Sequence, residues 1–236
     1  MREPVVFLPA MMCDARLFGP QIADLSRDHA VMSAPITQGE RVEEIASNLL
    51  DVLPKRFALV GLGMGGIVAL ELIRRAPDRI TRLALLDTTP LADTPQQAAA
   101  RDPQIIRARA GKLSDVMEEE LRHFDLAPTP HRAEIIALVE DMSQTLGPEC
   151  YMRQARAMQR RRDQQTTLRK IVVPTMVMCG AQDKIWPVKR HTFMAELIPS
   201  AQLKIIEHAG HLPPLEQPIA VTDALREWLA EPLVLR

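Results

Sequence analysis

The segment Val60-Gly61-Leu62-Gly63-Met64-Gly65-Gly66 lies between an apolar run, Phe57-Ala58-Leu59-Val60, and a helix-like run from Ile67 to Arg75. A strand, a tight glycine turn and a helix can do two kinds of chemistry. Gly61, Gly63 and Gly66 fit G-x-G-x-x-G, in which backbone N–H groups at a helix N-terminus cradle a dinucleotide pyrophosphate. Gly61 and Gly65 also fit G-x-S-x-G, the turn that exposes a nucleophilic serine, with Gly63 at the serine position. Glycine has no side chain and cannot attack a carbonyl. Position 63 therefore divides a cofactor-binding reading from an acyl-transfer reading that lacks its nucleophile.

Residues far along the chain bear on that choice. Asp87 ends the apolar run Leu83-Ala84-Leu85-Leu86, where a dinucleotide site often keeps a carboxylate for a ribose. Asp183 follows the strand-like run Thr175-Met176-Val177-Met178-Cys179, and His211 follows Leu203-Lys204-Ile205-Ile206. An acid and then a base, each on a loop after a strand, give the order nucleophile, acid, base for Gly63, Asp183 and His211. Asp183 can instead cap a helix beginning near Pro187. Asp87 is the alternative acid, His208 is expected to shape its loop, and His211 can also be a buried structural histidine. Cys13 is a poor substitute nucleophile, because its place does not match the turn geometry.

Taken together these motifs resemble the α/β-hydrolase superfamily over nearly the whole chain. Gly180 to Pro187 is similar to its acid loop, and Ala209-Gly210-His211 followed by Glu216-Gln217-Pro218 to its histidine loop. Leu8-Pro9-Ala10-Met11-Met12-Cys13-Asp14 resembles the oxyanion loop, with Ala10 where the family usually has glycine. Gly61 to Ala69 resembles the nucleophile elbow with one change, serine to Gly63. The resemblance implies an α/β fold: a mostly parallel sheet flanked by helices, with a helical cap. It implies hydrolysis of small-molecule esters or lactones without metal or organic cofactor. Asp183 would orient His211 as base, and the Met11 and Met64 N–H groups would form the oxyanion hole. Three readings of Gly63 stay open: an inactivated variant, a natural binding protein, or an enzyme in which His211 activates water or a substrate proton. An NAD(P)-binding oxidoreductase is a more remote alternative.

Composition fits that class. The 236 residues, 47% hydrophobic, suit one domain with an ordinary core. A net charge of −1 gives no electrostatic footprint for nucleic acid or a membrane surface. Three cysteines without pairing or metal spacing predict reduced thiols in a cytoplasmic protein. No apolar stretch is long enough to span a membrane. The partner expected is a small-molecule substrate or ligand. Twelve methionines are expected mostly as core filler, although such a flexible side chain also suits a pliable pocket.

The elements that must position these residues follow from periodicity. Strand-like runs cover 4–8, 30–34, 57–61, 83–87, 174–179 and 202–206. Helical patterns cover 41–53 and 67–75 among the early runs, and 219–229 at the end. Alternation of strand and helix predicts a parallel sheet covered on both faces. From residue 90 to about 170 no strand pattern occurs. Helix-like stretches at 95–110, 113–124, 130–145 and 148–161 predict a cap over 91–170, inserted into a core of 1–90 and 171–236. The cap carries Arg101, Arg107, Arg109, Arg153, Arg156, Arg160, Arg161 and Arg162. Most are expected on solvated helix faces; one or two pointing inward would suit a carboxylate-bearing ligand.

Overall fold

The computed structural model describes residues 3–123 and 126–233. Residue 124, expected at the end of the second cap helix, lies outside the described residues, as do Met1, Arg2 and 234–236.

Six strands form one sheet: β1 (Val5–Leu8), β2 (Val31–Ser33), β3 (Phe57–Leu62), β4 (Ile80–Leu86), β5 (Thr175–Gly180) and β6 (Ala201–Ile206). Their order is β2-β1-β3-β4-β5-β6, and every neighbouring pair is parallel. Strands buried on both faces read as continuous apolar runs, and β1, β3, β4 and β5 are buried at every residue. Successive side chains point to opposite faces. Val6, Leu8, Leu59, Leu83 and Leu85 accordingly join one core layer, and Val5, Phe7, Val60, Ala84 and Leu86 join the other.

Helices cover both layers. On the first face lie α2 (Val42–Val52), α3 (Met64–Arg75) and α8 (Val188–Leu197), through Ile45, Val68 and Met194 among others. On the second lie α1 (Gly19–Leu25) and α10 (Pro218–Ala230), through Leu25, Leu225 and Trp228. Between β4 and β5 come α4 (Pro95–Arg109), α5 (Leu113–His123), α6 (Arg132–Gln159) and the short α7 (Gln165–Leu168). A four-residue α9 (Pro213–Glu216) follows β6. The fold is thus the α/β architecture expected, with a helical insertion.

Local contacts and turns shape the helices of the insertion. Thr94 opens α4 with a reciprocal cap: its hydroxyl accepts from Gln97 N–H, and the Gln97 side chain accepts from Thr94 N–H. At Gly147, φ 79° and ψ 172°, the backbone leaves helical geometry, so α6 consists of two helical stretches that meet at a kink before Pro148, as the sequence predicts. Helix α3 begins at Met64, three residues before the apolar period becomes visible, because the turn entering it is so tight.

Reversal of strand order between β1 and β3 sends the loops after these strands apart, which opens a crevice at their carboxyl ends. At that point α3 presses against β1. A β-carbon on Gly65 would lie 2.1 Å from the Leu8 carbonyl oxygen. Gly65→Ala must therefore push α3 off the sheet and should cost about 3 kcal/mol or more. Gly19→Ala, with nothing within 4 Å of the added carbon, should stay within about 0.5 kcal/mol. Urea unfolding of both variants checks the contrast.

Candidate active site

Position 63 sits on the turn from β3 into α3 with φ 59° and ψ −121°. Residues with side chains rarely adopt such angles, and a nucleophile elbow imposes them. The turn is held at both peptide groups. Gly63 N–H donates to Leu86 O at 3.0 Å, and Gly63 O accepts from Gly66 N–H at 3.1 Å and the Thr88 hydroxyl at 2.7 Å. A β-carbon at 63 would stand 3.8 Å from His211 Nε2 and 3.2 Å from Ala10 Cβ. A side chain here would start beside the imidazole, with Ala10 crowding it.

His211 is oriented from its other nitrogen. Its Nδ1 lies 3.0 Å from Asp183 Oδ2, and both side chains are buried. Asp183 Oδ1 accepts from Ile185 N–H at 2.8 Å and Trp186 N–H at 3.2 Å, so the carboxylate is fixed by its own loop. It does not cap α8, whose preceding residue Pro187 has no side-chain cap. Burial pushes the Asp183 carboxyl up; its hydrogen bond and ion pairing with His211 outweigh this and hold it below its ordinary value. The Trp186 indole stands edge-on to the His211 ring, centroids 5.2 Å apart. Gln182 N–H donates to Ala209 O at 2.9 Å, which ties the acid loop to the histidine loop.

Ala10, Met11 and Met12, Gly63, Met64 and His211 line one side of a cleft that α4–α6 complete with Arg101, Met117, Glu120, Tyr151 and Met158. The cleft encloses about 570 Å³, counting the part open to solvent. Five of the twelve methionines thus face this space. The Met11 and Met64 N–H groups have no acceptor among the described residues. Met64 opens α3, so its N–H has no intrahelical partner and carries the positive end of the helix dipole.

Comparison with known proteins shows the family to which this fold belongs. Residues 5–224 match the family model described as the alpha/beta hydrolase family. The chain belongs to that family. A thermophilic esterase from Thermogutta terrifontis, solved with malate bound, superposes with a TM-score of 0.87 at 30% identity, over 96% of this chain and 89% of that one. The pimeloyl-[acyl-carrier protein] methyl ester esterase of Aromatoleum aromaticum is 27% identical over 209 residues, 80% of this chain and 82% of its own length. The biotin biosynthesis bifunctional protein BioHC of Teredinibacter turnerae is 24% identical over 204 residues, and the match spans 36% of its length.

Several further residues hold the loops of this site, by contacts that no motif predicts. Glu216 is buried and accepts from Ala127 N–H at 2.7 Å, Gly210 N–H at 2.9 Å and Leu212 N–H at 2.9 Å. It holds the histidine loop from both sides and fastens it to the segment after α5. Burial pushes its carboxyl up, against those three donors. Gln154 on α6 accepts from Met12 N–H at 2.9 Å and donates to Ile36 O at 3.2 Å, fixing the loop after β1. Met12, Asp87 and His208 all have positive φ, of 55°, 36° and 57°, and each lies on a loop leaving the carboxyl edge of the sheet. His208 does shape its loop: its carbonyl accepts from the Gln217 side chain at 3.0 Å.

The other sequence candidates fall as follows. Asp87 is fully buried and accepts from Gly180 N–H at 2.9 Å. Its carboxyl, Asp183 and His211 each place an atom within 4.8 Å of the others. Burial first, and then the Asp183 charge, push Asp87 well above the usual carboxylate range. The two neighbouring carboxyls are thus pushed in opposite directions, Asp87 up and Asp183 down. Cys13 is buried, and burial with the nearby Asp14 pushes its thiol up to about 12, which removes the thiolate a nucleophile needs. Cys150 and Cys179 are also free and buried. Of the cap arginines, Arg107, Arg156, Arg160 and Arg162 pair with Glu119, Glu40, Glu40 and Glu43. Arg153 donates to Thr37 O, and Arg101 alone of the set lines the cleft.

His191 is a buried histidine that supports the site from behind. Its Nε2 accepts from Thr88 N–H at 3.1 Å, next to Asp87. Burial lowers its pKa from 6.5 to about 4. Between those values the unfolded chain binds a proton that the native protein refuses. This contribution is whole above pH 6.5 and is lost as pH falls toward 4, by about 3 kcal/mol. His191→Gln keeps an acceptor for Thr88 N–H. Unfolding free energies of parent and variant across this pH range should diverge with that sign; parallel curves would contradict the assignment.

Proposed function

We propose that this cleft is built for acyl hydrolysis of small carboxylic esters or lactones, and that Gly63 leaves the protein inactive or strongly impaired. The carrying observation is the Asp183–His211 pair, with Nε2 standing 3.8 Å from where a β-carbon at 63 would begin. With a hydroxyl at 63, His211 would take its proton as it attacked the carbonyl, and Asp183 would hold the imidazolium. The Met11 and Met64 N–H groups would receive the oxyanion. Residues 1–90 and 171–236 form the core in this reading, and 91–170 form a cap that closes over the ligand. Two of the similar proteins, the Thermogutta terrifontis esterase and the Aromatoleum aromaticum methyl ester esterase, support the substrate class. A non-catalytic binding role on the same cleft is the second reading, favoured by the missing hydroxyl.

The cofactor reading has less support. A β-carbon on Gly61 would strike Gly65 O at 2.5 Å, and one on Gly66 the Thr88 hydroxyl at 2.5 Å, so these glycines answer contacts inside the protein. Asp87 is buried and bonded to Gly180 N–H instead of facing a crevice. Calorimetry with NAD or NADP should show no binding tighter than about 1 mM.

Gly63→Ser should create hydrolysis of short activated esters. The gain should approach on the order of a millionfold, because nucleophile and base act as a unit. The protein as it stands should give on the order of a thousandfold over water at best. Ala10 Cβ, 3.2 Å from the new β-carbon, will crowd the serine, so Ala10→Gly added to Gly63→Ser should raise turnover further. Adding His211→Ala should remove it. If both serine variants fold and hydrolyse nothing across an ester and lactone panel, the binding reading replaces the catalytic one.

A further inference from the structure

The cleft contains a guanidinium that acyl hydrolysis does not require. Arg101, on α4, is 19% exposed and lines the same space as Gly63 and His211. Its Nε donates to Asp93 Oδ2 at 2.9 Å. Its two terminal nitrogens have no partner among the described residues. Asp93 does not neutralise it, because the other Asp93 oxygen pairs with Arg161 at 2.7 Å. Two guanidiniums thus share one carboxylate, and Arg161 turns its remaining donors to Leu91 O and Met158 O. The second charged cap residue of the cleft, Glu120, accepts from the Tyr151 hydroxyl at 3.2 Å. The rest of the lining is largely methionine, tryptophan, isoleucine and alanine.

We infer that Arg101 binds a carboxylate at the end of the ligand remote from the reacting carbonyl, so that the cleft selects half-esters of dicarboxylic acids or carboxylated lactones over neutral esters. The inference rests on the acyl-hydrolase reading of the cleft. Asp93 holds the Nε edge of the guanidinium and aims its other donors, as bidentate recognition of a planar carboxylate needs. The methionine lining limits competing solvation, so the pair is stronger than on an open surface. Asp93 and Arg161 position Arg101 without meeting the ligand.

The test separates the two readings by using binding on the unaltered chain and turnover on the serine variant. Calorimetry of the unaltered protein with monomethyl succinate, glutarate and adipate, against their dimethyl esters, should show preference for the charged half-ester of at least one chain length. Arg101→Met should weaken that half-ester on the order of tenfold or more and leave the diester unchanged. Arg101→Lys, which keeps charge and loses the fork, should fall between. In the Gly63→Ser background, Arg101→Met should raise KM for the half-ester with kcat nearly intact. Equal binding of half-ester and diester by the unaltered protein overturns the inference, as does an equal loss of both in Arg101→Met. Half-ester preference with no turnover in any serine variant keeps the carboxylate site and overturns the hydrolase reading instead.

Discussion

Helix α3 meets the end of β1 so closely that residue 65 has no room for a side chain: the Leu8 oxygen would lie 2.1 Å from its β-carbon. Much of the site follows from that approach. It brings the start of α3 alongside the loop after β1, and Met64 and Met11 both line the cleft there. It forces the chain leaving β3 to turn within one residue, with φ 59° at position 63. Strain of this kind persists only where surrounding bonds determine it, and Gly63 is held through Leu86 O and the Thr88 hydroxyl. The elbow keeps its shape although its present occupant would tolerate many others.

The machinery around the elbow is equally specified. Asp87, Asp183 and Glu216 are all buried, a combination that is unfavourable without specific partners. Each is handled differently. Asp183 receives two backbone N–H groups and the imidazole, and is held below its ordinary value. Glu216 gathers three backbone N–H groups from two segments. Asp87 beside Asp183 is pushed well above the usual carboxylate range. The environment thus favours charge on the carboxyl that faces His211 over charge on its neighbour. In the proposed hydrolase reading, glycine at 63 leaves this arrangement without a nucleophile, and Ala10 fills part of the volume a side chain would need.

The helical insertion contributes the remaining walls and their charge. It is anchored where it touches the core: Gln154 on the loop after β1, and Arg156 and Arg160 on Glu40. Methionines from both layers meet in the cleft, and their unbranched thioethers adapt to ligands of varied shape. Against that pliable lining, Arg101 is a fixed polar point, because Asp93 holds one edge of its fork.

The sequence by itself determined what depends on local periodicity and turn chemistry. Six strand-like runs marked the strands, and in β1, β3, β4 and β5 they are continuously apolar because those strands are buried on both faces. The glycine-rich turn, the acid loop and the histidine loop were legible because each is a short motif at a strand end. The break at Gly147-Pro148 was readable as well, and the Gly147 backbone is non-helical there. Helix α1 escaped notice because only Gln21 and Leu25 of its seven residues are buried, too few for a period to show. Other features were decided only by tertiary structure. Glu216 meets Ala127 across 89 positions, His191 meets Thr88 across 103, and Gln154 meets Met12 across 142. Which arginine of the insertion turns inward depends on Asp93 and on the packing of α4 against α6. A hydrogen bond between distant segments has no signature in either segment alone, because the energy that selects it arises only when the fold brings them together.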